Sequence, residues 1–343
     1  MEKSDQIQDV QIGVVGAGSW GTALGNLLAD KGYTVNLWAY EPEVVHQILY
    51  ERENKVFLPG IKLSERLVPS VDLSQVVSAK DLLLVVVPSH VMRETAEKFS
   101  SSVADNTLIV SASKGIENIT HLSMSQVLMD TIPHVASHRF AVLSGPSFAM
   151  EVARKVPTLI SVASKNQQVA VFIQKVFATA YFRVYTNDDM IGVELGGAIK
   201  NVIAIASGII DGLGLGLNTR AALITRGLTE IRRLGTHMGA RPDTFAGLSG
   251  IGDLLLTCTG ALSRNYTVGK KIGEGKKVKE ILSEMRMVAE GVKTAKSVYN
   301  LSRKLNVEMP ICQEMYRILY EDDSPLAAVR RLMTRDLKHE LDD

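Results

Sequence analysis

The feature that most constrains this chain is a glycine-rich turn near its beginning. An apolar run typical of a buried strand, Val10–Val15, is followed directly by the segment GAGSWG, in which Gly16, Gly18 and Gly21 recur. Thr22–Lys31 then places leucines at helical spacing. Between a strand and a helix, these glycines permit a tight turn, close approach of a phosphate to the backbone, and close helix–strand packing. The pattern predicts a dinucleotide-binding turn; a purely structural turn is the alternative.

Later apolar runs predict the remaining strands of an open, mostly parallel sheet. The run Asp81–Val87 has no polar interruption after its first residue, which is typical of a central strand buried on both faces. The runs Thr107–Ser111 and Phe140–Leu143 lead into loops of small, polar and glycine residues. Such sheets bind their ligands at these strand ends. The last two runs, Thr158–Ala163 and Phe182–Tyr185, are expected to form the far edge of the sheet. Besides Asp81–Val87, the predicted strands are Tyr33–Ala39, Thr107–Ser111, Phe140–Leu143, Thr158–Ala163 and Phe182–Tyr185.

From about residue 190 the sequence contains helical patterns and no convincing strand. The predicted helices are Ile191–Ile210, Ala221–Leu234, Val278–Met287, Thr294–Leu305 and Ala327–Leu337. We therefore predict an α/β fold with an N-terminal Rossmann-type doubly wound sheet followed by an all-helical C-terminal domain. Residues 1–190 would form a dinucleotide-binding domain, and residues 191–343 a helical substrate-binding domain.

Composition excludes several classes of function. The chain is 46% hydrophobic and carries 38 Lys and Arg against 37 Asp and Glu, which is typical of a soluble globular protein and argues against a nucleic-acid binder. Cys258 and Cys312 lack the spacing of a disulfide framework or a zinc site, and the seven histidines show no metal-binding motif. The N-terminus does not resemble a signal peptide, and no apolar run is long enough to span a bilayer. A cytoplasmic protein without a metal or a membrane span is expected.

Lys200 is the candidate for acid–base chemistry. It lies in an otherwise apolar or small-residue helix, where an ammonium is costly unless it is paired or lines a cavity. Burial would lower its pKa towards neutrality, as proton transfer to a developing alkoxide requires. A lysine that reaches the rim of a packed helix is the alternative. Asp253, one acid among glycines and apolar residues, is either the partner that orients Lys200 or a helix N-cap.

Two further clusters suggest anion binding. Lys114 stands beside Gly115 in a loop at the end of a strand, at the sheet edge where ligands bind. Ser263-Arg264-Asn265 offers a hydroxyl, a guanidinium and an amide in consecutive residues, a combination suited to phosphate. His90 follows a predicted strand and is assigned a structural or cofactor-contacting role.

Nucleotide preference stays open. The acidic residue that would reach the ribose 2′-OH is expected at the end of the second strand. Ala39 holds that position by strand register, whereas Glu41 holds it by residue count. Neither NAD nor NADP is therefore favoured.

Taken together, the motifs resemble those of the prokaryotic-type NAD(P)-dependent sn-glycerol-3-phosphate dehydrogenases, in the same order and over nearly the full length. They are GAGSWGTAL (16–24), VVVPSH (85–90), SKGIE (113–117), SGPSFA (144–149), ELGGAIKNVIAIASGIIDGLGLG (194–216), TRAALITRG (219–227), GLSGIGDLLLTC (247–258) and SRNYTVG (263–269). The resemblance implies reversible reduction of dihydroxyacetone phosphate to sn-glycerol 3-phosphate with NAD(P)H, which feeds phospholipid synthesis, in a cytoplasmic homodimer.

By matched position the resemblance also assigns site residues, with Lys200 as the proton donor and acceptor. Implied substrate contacts are Lys114, Gly145, Ser147, Lys200, Asp253, Ser263, Arg264 and Asn265. Implied cofactor contacts, besides the three glycines, are Ser19, Trp20, Tyr40, Lys114, Ala149, Arg264, Val288 and Glu290. Tyr40 stands where many members carry His or Arg, which gives no support to a preference for NADPH. The rival functions are a β-hydroxyacid or 6-phosphogluconate-type dehydrogenase and a non-catalytic redox sensor.

Overall fold

The computed structural model describes residues 10–285 and 289–340. The chain divides into two compact units. The first contains the chain up to Ser113 together with Met124–Met190. The second contains the chain from Ile191 onwards together with the short segment Lys114–Ser123, which leaves the first unit after a strand and returns to it before a helix.

The first unit is built on one eight-stranded sheet, in the order β3-β2-β1-β4-β5-β6-β7-β8. All neighbouring pairs are parallel except β6 and β7, which are antiparallel. The predicted α/β class is confirmed, with Asp81–Val87 supplying a central strand and the last two strands lying at the far edge. The strands are β1 (Ile12–Val15), β2 (Val35–Trp38), β3 (Leu67–Ser70), β4 (Leu82–Val85), β5 (Leu108–Ser111), β6 (Phe140–Ser144), β7 (Thr158–Ala163) and β8 (Phe182–Asn187).

Strand β3 was not predicted, because its sequence is only Leu-Val-Pro-Ser. Pro69 cannot donate a backbone hydrogen bond, and a proline within a short run argues against a central strand. The structure places β3 at the edge of the sheet, paired with β2 on one side only, where proline is tolerated.

Two groups of helices accompany the sheet. Helix α1 packs against α6 and α7, whereas α4 packs against α3 and α5, as the doubly wound arrangement requires. Their ranges are α1 (Ser19–Asp30), α2 (Pro42–Glu51), α3 (Leu73–Val77), α4 (Met92–Phe99), α5 (Met124–Thr131), α6 (Ala149–Ala153) and α7 (Gln167–Phe177). Strands β1 and β4 are fully buried, which explains their continuous apolar sequences.

The second unit consists of helices and their connections in its described residues, as predicted. The helices are α8 (Met190–Gly212), α9 (Gly216–His237), α10 (Asp253–Thr259), α11 (Arg264–Gly273), α12 (Val278–Ser283), α13 (Glu290–Lys304), α14 (Pro310–Tyr320) and α15 (Pro325–Met333). The last helix ends before the predicted Leu337, which is fully exposed. A π-helical turn, Leu248–Gly252, leads into α10.

Helix α8 forms the centre of this unit. Its 23 residues have a mean hydropathy of 1.5 in the most apolar window, so by length and composition alone it could cross a membrane, contrary to the expectation from sequence that no run is long enough. That window is completely buried among the protein's own side chains, as in a core helix of a folded domain. Small residues allow close helix packing: a Cβ at Gly208 would lie 2.0 Å from the carbonyl oxygen of Tyr266 in α11. Lys200 is therefore held in tightly packed surroundings.

Candidate active site

The glycine turn has the geometry that a dinucleotide needs. Gly16 adopts φ +116°, a conformation that favours glycine, and a Cβ there would lie 2.6 Å from the carbonyl oxygen of Val86. A Cβ at Gly21 would lie 1.9 Å from the carbonyl oxygen of Gly16, so the start of α1 packs directly on the turn. A Cβ at Gly18 would meet nothing within 4 Å, which leaves open space beside the first turn of α1. No side chain caps that turn, and it contains no acidic residue.

A buried asparagine that the sequence did not single out holds the turn in place. Asn54 donates from Nδ2 to the carbonyl oxygen of Ala17 at 2.9 Å and to Thr22 Oγ1 at 2.8 Å. The Thr22 hydroxyl in turn donates to the same carbonyl at 3.0 Å. Asn54 is completely buried, so this network fixes the backbone before any phosphate arrives. Nothing near Asn54 in sequence indicated a link to residues over 30 positions earlier.

The end of β2 carries the position expected to set nucleotide preference. Ala39 is buried and donates its backbone N–H to the carbonyl oxygen of Ser70. Tyr40 is 76% exposed, with its ring edge-on to Trp38 at a centroid distance of 6.3 Å. Glu41 is exposed at the start of α2. Ala39 offers no side-chain hydrogen bond to a ribose hydroxyl and no carboxylate that would repel a 2′-phosphate.

The loop after β6 contains three of the predicted contact residues, all in the first unit. Gly145 has φ +154°, and a Cβ there would lie 2.9 Å from Ile160 Cα in β7. Ser147 donates its hydroxyl to the Gly145 carbonyl at 3.0 Å, which closes the loop. Ala149 begins α6. His90 lies in a short 3₁₀ turn, Ser89–Val91, after β4.

In the second unit, Lys200 lies in the middle of α8, and its side chain is only 7% exposed. Its ammonium donates to Asp253 Oδ1 at 2.5 Å and to Thr257 Oγ1 at 2.6 Å. A lysine ammonium has three N–H groups, and these two bonds use two of them. The alternative that Lys200 reaches solvent at the rim of the helix is wrong.

Asp253 joins two lysines. Its side chain is 1% exposed, and its second carboxylate oxygen, Oδ2, accepts from Lys114 Nζ at 2.7 Å. Asp253 is the first residue of α10, which begins without a side-chain cap, so the N-cap alternative is wrong. A single buried carboxylate therefore lies between two ammonium groups that are 86 residues apart in the chain.

The electrostatics of this cluster favour a titratable Lys200. Desolvation lowers the pKa of Lys200 to about 7, the neighbouring charge of Lys114 adds to the lowering, and the Asp253 carboxylate opposes it. A group with a pKa near the working pH can both donate and accept a proton.

Thr257 was not predicted. It lies one helical turn after Asp253, and its hydroxyl donates to the Asp253 backbone carbonyl at 2.6 Å. Because the Thr257 hydroxyl hydrogen is used in that bond, the hydroxyl oxygen acts as an acceptor for Lys200. The i, i+4 spacing from Asp253 was the available signal, since residues at that spacing share a helix face.

The Ser-Arg-Asn cluster begins α11, but its three side chains have different roles. The buried Ser263 caps α11, accepting from the Tyr266 backbone N–H at 3.2 Å. Asn265 is also buried: Nδ2 donates to Asn201 Oδ1 at 2.9 Å, and Oδ1 accepts from the Gly291 N–H at 3.0 Å. Arg264 is exposed at the first helical turn. Its guanidinium is the group of the three that can reach a ligand without breaking a helix cap or a buried hydrogen bond.

Of Glu290 and Val288, which only the resemblance pointed to, the structure describes Glu290, at the start of α13. Desolvation lowers the pKa of the Arg264 guanidinium, and the charge of Glu290, the first residue of α13, opposes that lowering. Val288 lies outside the described residues. Within the described residues no group of three or more His, Cys, Asp or Glu side chains is arranged to hold a metal ion.

Comparison with known proteins identifies close relatives. Models of the NAD-dependent glycerol-3-phosphate dehydrogenase N-terminus and C-terminus match residues 11–170 and 189–330. The glycerol-3-phosphate dehydrogenase (NAD(P)+) of Syntrophobacter fumaroxidans is 56% identical over 331 residues, 96% of this chain and 97% of that protein. That of Geobacter sulfurreducens is 56% identical over 330 residues, 96% of this chain and 98% of that protein. A crystal structure of glycerol-3-phosphate dehydrogenase from Coxiella burnetii is 42% identical, with a TM-score of 0.91, and covers 96% of this chain and 100% of its own.

Proposed function

Since the chain belongs to the NAD-dependent glycerol-3-phosphate dehydrogenase family, it interconverts dihydroxyacetone phosphate and sn-glycerol 3-phosphate with NAD(P), and we propose that Lys200 exchanges the proton. The observation that carries the proposal is the buried ammonium of Lys200, held by Asp253 and Thr257 with a pKa of about 7. Carbonyl reduction needs a proton donor at the carbonyl oxygen, and Lys200 is suited to that task.

The first unit holds the dinucleotide. The turn through Gly16, Gly18 and Gly21 leaves space beside the uncapped, positive end of α1, which suits a pyrophosphate. Ser19, Trp20 and Tyr40 are the neighbouring side chains assigned to the cofactor, with Ala149 in the same unit. When bound, the nicotinamide supplies or accepts the hydride.

The second unit recognises the substrate phosphate. Arg264 provides a guanidinium whose planar donor fork matches a phosphate. Ser263 caps the start of α11 and Asn265 ties it to the Gly291 N–H, so the backbone that carries Arg264 is held in place. Binding of this remote group orients the carbonyl for reaction. Lys114, Gly145 and Ser147 complete the substrate contacts. Lys114 and Arg264 are assigned to the cofactor as well, and Glu290 and Val288 to the cofactor alone.

Proton transfer during reduction uses the cluster around Asp253. As the carbonyl carbon accepts the hydride, its oxygen takes a proton from Lys200 Nζ and becomes the hydroxyl of the product. Asp253 and Thr257 hold the nitrogen in position throughout, and Lys114 stabilises the developing negative charge. Neutral Lys200 accepts the same proton in the oxidation direction.

We further infer a cytoplasmic homodimer whose product enters phospholipid synthesis. The two cysteines support a reducing compartment, because both are buried and unpaired. Light scattering of the purified protein tests the dimer. A monomer mass at micromolar concentration would contradict it.

The direct test of the activity follows loss of absorbance at 340 nm with dihydroxyacetone phosphate, in parallel with NADH and NADPH. Unphosphorylated dihydroxyacetone is the control. Rapid oxidation that requires the phosphate supports the proposal, and the ratio of the two rates gives the nucleotide preference. Dinucleotide binding without turnover would favour a sensor, and turnover of 3-hydroxyacids or 6-phosphogluconate would favour the other dehydrogenase class.

A further inference from the structure

The segment Lys114–Ser123 belongs with the helical unit although both of its chain neighbours belong to the sheet unit. We call this segment the strap. It closes on itself: Ile116 and Ser123 form an isolated antiparallel bridge, and the Glu117 N–H donates to the Leu122 carbonyl at 2.9 Å. Lys114, at its beginning, is the lysine that binds Asp253 Oδ2. The position of the strap therefore determines where the Lys114 ammonium lies.

One anchor of the strap is a serine in α13. Ser297 is completely buried, and its Oγ lies 2.8 Å from the Ile116 carbonyl oxygen and 2.9 Å from Asn118 Oδ1. The hydroxyl has one hydrogen, which it can donate to either oxygen; the Lys293 carbonyl of its own helix is farther, at 3.4 Å. The Ile116 side chain is buried in the same core as α8 and α13. The carbonyl that Ser297 binds is only two residues from Lys114.

The other anchor is a buried pair at the far end of the strap. The Ser123 hydroxyl donates to Glu194 Oε2 at 2.6 Å, and both residues are buried. Glu194 lies in α8, the helix that carries Lys200. A hydrogen bond to a carboxylate inside the protein is stronger than one between neutral groups. Both ends of the strap are thus tied to helices of the second unit.

We propose that Ser297 and the Ser123–Glu194 pair are positioning residues that hold the strap on the helical unit and thereby keep the Lys114 ammonium on Asp253. None of these three side chains needs to touch the substrate. A long lysine side chain is mobile unless its backbone is fixed, and these anchors fix the backbone beside Lys114. The inference deepens the proposed function and rests on it, because the strap matters only if the lysine–aspartate cluster performs the chemistry.

Substitution of Ser297 by alanine tests this role. Loss of the hydroxyl removes the buried donor that the Ile116 carbonyl and Asn118 Oδ1 share, both of them in the strap, so the strap loosens and Lys114 leaves Asp253 for part of the time. We expect kcat/KM for dihydroxyacetone phosphate to fall about tenfold. Since Lys114 lowers the pKa of Lys200, the alkaline limb of the kcat profile for reduction should move to higher pH.

Ser302→Ala is the matched control. Ser302 is a buried serine of the same helix, but its hydroxyl donates to the Tyr299 carbonyl within α13. This variant should reproduce any general loss of stability without the shift of the pH profile. A Ser297→Ala profile identical to that of Ser302→Ala would overturn the proposal.

A double-mutant cycle with Lys114→Ala separates a positioning role from a general one. If Ser297 acts through Lys114, then Ser297→Ala should cause no further loss of kcat/KM in the Lys114→Ala background. Fully additive losses would show that Ser297 does not act through Lys114 and would refute the proposal. A wild-type enzyme that binds the dinucleotide but does not reduce dihydroxyacetone phosphate would instead refute the proposed function, so the two failures are distinguishable.

Discussion

Replacing Asp253 by asparagine keeps the shape of the side chain but removes the one negative charge that joins the two lysines. The carboxylate accepts from Lys200 at 2.5 Å and from Lys114 at 2.7 Å, and it is almost completely buried. An amide has one acceptor oxygen, so one of the ammonium groups would face the NH₂ group instead. Two positive charges would then remain together in the interior without a counter-ion.

The direction of the pKa change follows from the same contacts. Asp253 raises the pKa of Lys200, whereas burial and Lys114 lower it, so loss of the carboxylate should move that pKa below its wild-type value of about 7. A shift of one pKa unit corresponds to about 1.4 kcal/mol. Breaking a buried pair typically costs ~3–5 kcal/mol, enough to shift the pKa by at least about one unit.

The assay is the pH dependence of kcat for reduction of dihydroxyacetone phosphate. Reduction requires protonated Lys200, so the wild-type rate should fall as pH rises through about 7. In Asp253→Asn that fall should begin at least about one pH unit lower, and kcat at the plateau should drop about 10²-fold as Lys200 loses its orientation. Glu284→Gln, which breaks an exposed pair with Lys271, is the control. It should change neither the pH at which kcat falls nor the plateau value of kcat. A limb that stays in place or moves to higher pH would refute the reasoning.

Three other substitutions test separate parts of the account. At saturating dinucleotide, which offsets loss of the cofactor contact also assigned to Arg264, Arg264→Ala should raise KM for dihydroxyacetone phosphate about 10²-fold and leave any activity on dihydroxyacetone nearly unchanged; an equal penalty on both would remove Arg264 from phosphate binding. Gly21→Ala would place a Cβ 1.9 Å from the Gly16 carbonyl and should weaken dinucleotide binding at least tenfold by fluorescence titration, so normal affinity would contradict the packing argument. Burial raises the pKa of Glu230 to about 7, so folded protein binds more protons than unfolded protein between about pH 4.5 and 7. The Tm of the wild type should therefore fall over that pH window relative to the Tm of Glu230→Gln. Curves of Tm against pH that run parallel for the two proteins would contradict this prediction.

The order of the elements could be predicted from the sequence because the strands of a parallel sheet are continuous apolar runs. Asp81–Val87 and Thr158–Ala163 contain the strands observed there. The four-residue β3 could not be recognised, because its proline and its position at the edge leave little hydrophobic signal.

The chemical identity of the site residues was readable, but their partners were not. Lys200 stands out as a charge within an apolar helix, and Asp253 stands out among glycines. Lys114 binds Asp253 across 139 positions of sequence, and no local pattern encodes such a contact. Asn54 and Ser297 act through backbone carbonyls of distant segments, which have no residue-specific signature. Those contacts follow from the packing of whole elements.

The central claim is that Lys200 supplies the proton, and Lys200→Met tests it most directly, since methionine fills a similar volume without a titratable group. The measurement is kcat for dihydroxyacetone phosphate reduction together with the dinucleotide Kd of the same preparation. The account predicts a fall in kcat of at least about 10³-fold with Kd changed by less than about twofold. Turnover within about tenfold of wild type, with a normal alkaline limb in its pH profile, would contradict it.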